Sequence, residues 1–152
     1  MGFFDNLFSG KKADPVPKRP LRLQFTPAPD NAHLFAQQYV DVVRNNDHFQ
    51  LDYTLESADF VDHFLQRFAD AGITSNNFAE TIFVAGAYVG QTMVLHRGAQ
   101  WIYSQGIQTN GQALMPIVLL LPNGSFTDPI TQAFRRFSYG KKENLKSYVL
   151  QG

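Results

Sequence analysis

The stretch Asn77-Phe-Ala-Glu80-Thr-Ile-Phe-Val-Ala-Gly86-Ala-Tyr88-Val-Gly90-Gln91-Thr-Met-Val-Leu95 decides how the chain is read. Asn77, followed three residues later by Glu80, has the form of a capping box, and Gly98 supplies a stop, so the spacing predicts one long helix. From Ile82 to Val89 no charged residue interrupts the run, and a helix that is apolar on nearly every side belongs at the centre of a domain with other elements covering it. Gly86 and Gly90 stand one turn apart. Each is about 1 kcal/mol less favourable than Ala in a helix interior, so the pair points to a strip where another backbone comes close.

Upstream of this helix the pattern is helical, and downstream it turns to short strands. Asp30 or Asn31 is expected to cap a first helix running to about Arg44, where Asn45-Asn46 stops it, with Leu34, Tyr39, Val42 and Val43 facing the core. Phe49, Leu51 and Tyr53 alternate with polar residues as a short strand or an extended lead-in. Ser57 is expected to cap a second helix, in which Val61, Phe64, Leu65 and Phe68 share one face and Gly72 terminates. Strands are predicted at 100–104 and 116–121, the second closed by the turn Pro122-Asn123-Gly124 and followed by a return strand at 125–127. Asp128 then caps a helix with Pro129 at its first position, ending at Gly140, and a last helix takes up 143–150. Helices first and strands later predict an α+β fold with helices packed on a small antiparallel sheet. Leu21, Leu23 and Phe25 are further read as a short edge strand.

At 152 residues with 44% hydrophobic and 17% charged residues, the chain has the composition of one packed, soluble domain. Prolines at 15, 17, 20, 27 and 29 place the domain boundary near residue 21, leaving residues 1–20 as a flexible amphipathic tail and 21–152 as a single α+β domain. Within the tail Phe3, Phe4, Leu7 and Phe8 form a one-sided apolar stripe followed by Lys11 and Lys12, the expected element for docking on a protein, for self-association or for weak contact with a membrane surface. The absence of cysteine excludes disulfides, thiolate metal sites and thiol nucleophiles, and a chain with neither a secretory signal nor a spanning segment is expected in the cytoplasm.

The 13 basic and 13 acidic residues are unevenly placed. Residues 1–22 carry a net +3 and residues 135–152 a net +4, whereas 23–134 carry −7, a distribution that opposes nucleic-acid binding over most of the surface. Trp101 and Tyr103 with Arg135 and Arg136 offer an aromatic and basic combination for base stacking, and the field weighs against it. The four histidines show no metal-ligand spacing; Asp59 and His63, four apart on a helix, amount to half a site at most. Neither a nucleophile elbow nor a phosphate loop is present. No catalytic residue, metal or cofactor is therefore expected. The polar groups best placed to line a pocket are Glu80, Tyr88, Gln91 and Arg97 on or beside the central helix, with a hydrogen-bond network tying that helix to the sheet as their alternative role.

The order Leu51-Asp52-Tyr53-Thr54, Ser57, Val61-Asp62, Gly86-Ala87-Tyr88-Val89-Gly90-Gln91, Gly98, Trp101, Pro122-Asn123-Gly124 and Asp128-Pro129-Ile130 resembles that of a group of small uncharacterised bacterial domains of unknown function, over residues 49–140. The resemblance implies a shared fold and a bacterial cytosolic setting, and supplies no reaction. Members often carry an acidic residue where this chain has Gln91, which removes a charge that acid–base or metal chemistry would use. Two functions follow as expectations: a non-enzymatic protein-interaction domain, or a small ligand-binding or hydrolytic domain using the polar groups of the central helix.

Overall fold

A computed structural model describes residues 21–151. Five helices and a three-stranded sheet follow in the order α1 (Ala32–Asp47), α2 (Ala58–Asp70), α3 (Ser75–Arg97), β1 (Gln100–Tyr103), β2 (Ile117–Leu120), β3 (Phe126–Thr127), α4 (Pro129–Tyr139) and α5 (Leu145–Gln151). The sheet is antiparallel with β2 in the middle, Trp101 opposite Leu119 and Leu120 opposite Phe126. This is the expected α+β architecture, with the helix-rich half first. The tail stripe of Phe3, Phe4, Leu7 and Phe8 lies outside the described residues.

α3 is the axis of the fold. Thirteen of its residues are buried, among them every position from Thr81 to Gly90, because α1 packs along one side and α4 along another. Among the described residues it is the one helix long and apolar enough to cross a membrane, and most of that apolar surface is covered by protein. The helix starts earlier than the Asn77 capping box predicts. Thr74 is its cap, with Oγ1 accepting from the Asn77 N–H, so Asn77 donates to the cap instead of acting as one.

The glycine strip is occupied as its spacing predicts. A Cβ on Gly86 would lie 2.6 Å from Ile130 Cα and 3.1 Å from the Pro129 carbonyl oxygen, so the first turn of α4 rests on bare α3 backbone. One turn on, the Trp101 ring covers Gly90, which is how β1 gains its place beside the helix. Asp128 fixes the entry to α4 by accepting from the N–H groups of Thr131 (3.0 Å) and Met115 (2.9 Å), joining helix start and sheet approach through one carboxylate. In β2, Ile117, Val118 and Leu119 are all fully buried, which explains why the central strand reads as a continuous apolar run and not as an alternation.

Several local expectations are corrected. α1 continues past Asn45-Asn46 to Asp47 and ends where His48 takes a left-handed conformation (φ 54°). Its buried stripe is Ala32, Phe35, Ala36, Tyr39, Val40 and Val43, so Leu34 and Val42 are turned partly outward. Ser57 makes no side-chain cap; Thr54 Oγ1 accepts from the Ser57 N–H and starts a 3-10 turn, Leu55–Ser57, that leads into α2. α2 does end as expected, with Gly72 at φ 85° and paired bonds from Gly72 N–H to the Ala69 carbonyl and from Ile73 N–H to the Phe68 carbonyl. Residues 21–25 and 49–53 form no strand and pair with none.

Gly86→Ala tests the axis. The helix-propensity gain of about 1 kcal/mol is outweighed by overpacking against Ile130, and we expect a net loss of about 2 kcal/mol in urea unfolding. A loss below about 0.5 kcal/mol would show that α4 can retreat without consequence.

Candidate functional site

The four polar residues of the central helix do not converge. Glu80 and Arg97 are 17 residues apart, roughly 25 Å along a helix. Glu80 Oε2 accepts from the Leu23 N–H (2.6 Å) and its Oε1 lies 3.6 Å from Arg22, so it fastens the incoming chain to α3. Trp101 Nε1 donates to Gln91 Oε1 (3.1 Å), tying helix to sheet as the alternative role for these groups required. Arg97 Nη1 donates to the Val149 carbonyl (2.9 Å) near the end of α5, where helix carbonyls lack partners of their own.

Tyr88 anchors the densest polar cluster. Its oxygen accepts from the Tyr53 N–H (3.0 Å) and lies 2.6 Å from Ser57 Oγ. Ser57 Oγ places its single proton on the Thr54 carbonyl (2.6 Å), so Tyr88 is the donor in the pair. His96 Nε2 donates to the Tyr53 carbonyl (2.8 Å), and both backbone groups of Tyr53 are thereby held by side chains of α3. Tyr53 sits at φ 61°, a region few non-glycine residues adopt, and this two-sided clamp holds it there. Burial raises the Tyr88 pKa, against the lowering effect of the Ser57 and Tyr53 bonds, and burial pushes Tyr53 up to about 12. A tyrosine that keeps its proton and donates it to Ser57 is no base for that hydroxyl, so the cluster shapes the 49–57 segment and does not activate a nucleophile.

A second buried polar centre was not legible in the sequence. Asp62 on α2 accepts from Arg136 Nε (3.0 Å) and from the N–H groups of Leu145 (2.7 Å) and Lys146 (3.1 Å), while Arg136 Nη1 donates to Gln66 Oε1 (2.7 Å). Asp62 is thus counter-ion to α4 and cap to α5 at once, across 74 and 83 positions of sequence. With Arg136 buried in this pair and Arg135 bound to Glu143 (2.7 Å), neither forms a free basic surface beside Trp101 and Tyr103 for a nucleic acid. Asp59 and His63 make an exposed pair at 3.7 Å, and among the described residues no group of three potential metal ligands assembles.

The site with the shape to bind something is apolar. A groove of about 940 Å³ runs between α1 and α2, where Leu34 and Val42 of α1 face Phe64 and Phe68 of α2, with Phe25 and Ile73 closing it. The outward turn of Leu34 and Val42 creates it. At its rim Arg67 bridges the two helices through Asp47 (3.1 Å) while its guanidinium lies 4.9 Å from the Phe68 ring centre. A second recess of about 440 Å³ lies against Phe49, Phe60 and His63, where Asp52 is already engaged by the Thr54 N–H and hydroxyl and is held below the usual carboxylate range by those bonds.

Compared with known proteins, the chain matches no family model, no curated protein and no solved structure.

Removing the Tyr88 hydroxyl should leave the Tyr53 N–H unpaired, and Tyr88→Phe is expected to lose about 1–3 kcal/mol in urea unfolding. A change within about 0.3 kcal/mol would show that the clamp on Tyr53 carries no stability. A second expectation concerns pH. Tyr39, Tyr53, Tyr88 and Tyr148 all have pKa values raised by burial, whereas in the unfolded chain tyrosine titrates near 10. Above about pH 10 the unfolded chain therefore sheds protons that the native state keeps, and stability falls as pH rises. Urea midpoints measured from pH 8 to 11 should be flat and then decline, with a shallower decline in Tyr53→Phe; equal slopes in the two chains would contradict the assignment for Tyr53.

Proposed function

We propose that the domain is a non-enzymatic interaction module whose α1–α2 groove takes an apolar, aromatic polypeptide segment flanked by basic residues. The observation that carries the reading is the groove itself. Its volume lies at the upper end of the roughly 300–1,000 Å³ of pockets that enclose ligands, and its lining joins the apolar Leu34, Val42, Phe64 and Phe68 to polar side chains such as Gln37, Gln38, Asp41 and Asn45. Two near helices with an open apolar seam suit a third helical or extended segment laid between them, with anchors at i, i+3, i+4 and i+7. The negative balance of residues 23–134 favours a partner with positive flanks. A bacterial cytosolic setting, implied by the order of motifs, belongs to the same proposal. The competing ligand-binding or hydrolytic reading needs polar groups that meet in one cavity, and Glu80, Tyr88, Gln91 and Arg97 are each engaged in separate contacts.

Chemical-shift mapping tests this. The full chain is titrated with a synthetic twelve-residue peptide carrying Phe and Leu at i, i+3, i+4 and i+7 and Lys at both ends. Amides of residues 34–46 and 64–73 should shift, and the shifts should disappear in Leu34→Glu/Val42→Glu, whose two positions are half-buried and stand apart from the core stripe of α1. Shifts on another face, or shifts the double variant leaves unchanged, would overturn the reading.

A further inference from the structure

We infer that the occupant of this groove is the chain's own N-terminal segment, with Phe3, Phe4, Leu7 and Phe8 laid between α1 and α2, so that an outside partner must displace it. The inference rests on the reading of the groove as a peptide-binding surface.

Continuity argues for it first. Residues 21–25 lie along the groove, with Leu21 and Phe25 forming part of its wall. That stretch is tied down on both sides: the Arg22 carbonyl accepts from Gln38 Nε2 on α1 (2.6 Å), and the Leu23 N–H donates to Glu80 on α3 (2.6 Å). Leu21, the first described residue, therefore stands at the groove, and the chain before it enters the domain from there.

Reach is sufficient. Residues 9–20 include prolines at 15, 17 and 20, and an extended chain of that kind spans roughly 3.1 Å per residue, or about 37 Å. The sixteen residues of α1 span about 24 Å, so residues 3–8 can reach either end of the seam without a second molecule.

The chemistries match. The segment offers three phenylalanines and a leucine at i, i+1, i+4 and i+5, and the groove offers Leu34, Val42, Phe64 and Phe68. Lys11, Lys12, Lys18 and Arg19 follow the stripe. Asp41 and Asp47 at the rim are already paired with Arg44 and Arg67, so the attraction on these lysines comes from the net −7 of residues 23–134. A contact made by four side chains is weak between separate molecules, and tethering supplies an effective concentration of about 1 mM that makes up for it.

The chain has no cysteine, so one introduced thiol can be labelled uniquely. A nitroxide on Ser9→Cys in the full chain should broaden amides of 34–46 and 64–73 at least twofold more than those of 100–103 and 145–151. The gradient should vanish in Phe3→Ser/Phe4→Ser/Leu7→Ser/Phe8→Ser. Strongest broadening elsewhere overturns the inference, as does broadening seen only between labelled and unlabelled molecules, which would place a second copy in the groove. The peptide titration separates this inference from the reading beneath it. About tenfold tighter binding to the four-serine chain than to the wild-type chain supports both. Equal affinity for the two chains at the groove overturns the inference alone, and binding at the groove of neither chain overturns both.

Discussion

At Gly86 the backbone of α3 has no side chain between itself and Ile130, and α4 settles against it at a separation that a methyl group would forbid. The position of α4 sets much of the rest. Its entry residue Asp128 also fixes the approach of the chain to β2 through Met115, and its Arg136 reaches back to α2. Widening this one contact would displace the sheet approach and the buried ion pair together. A close-packed interior transmits such a shift, since side chains already sit in van der Waals contact with few voids.

The Asp62–Arg136 centre does for the C-terminal end what Gly86 does for the middle. α5 is seven residues long, too short to persist alone in water, and two of its first N–H groups are satisfied by a carboxylate that belongs to α2. Burying a charged pair does not by itself stabilise a fold, because desolvation opposes the attraction, but leaving Arg136 buried without Asp62 would be far worse. The pair therefore makes the arrangement of α2, α4 and α5 specific. Its location also removes Arg136 from any surface role.

Polar groups in this molecule are used to build backbone conformation. Tyr88 and His96 hold Tyr53, Glu80 holds Leu23, Gln91 holds Trp101 and Arg97 holds the end of α5. What is left with shape and no such duty is the apolar seam between α1 and α2, created where α1 turns Leu34 and Val42 away from the core. That division, polar groups committed to architecture and an apolar groove left open, is why the functional proposal is one of docking and not of catalysis.

By itself the sequence determined the central helix, its glycine notch, the Asp128-Pro129 helix start, the apolar strand after Pro116 and the order of helices before strands. All of these depend on residues within a few positions of one another, where periodicity and capping speak directly. It also marked Glu80, Tyr88, Gln91 and Arg97 as the polar groups of the central helix, but not which partner each would take. Tertiary structure alone decided the rotation of α1, since Leu34 and Phe35 are equally apolar and only contact with α3 selects which is buried. It decided that Leu21 to Phe25 and Phe49 to Tyr53 remain unpaired, because an alternating pattern describes a strand's faces and not the presence of a neighbouring edge. And it decided the role of Asp62, which in sequence is one more acidic residue on a helix beside Asp59, and in space meets groups 74 and 83 residues away.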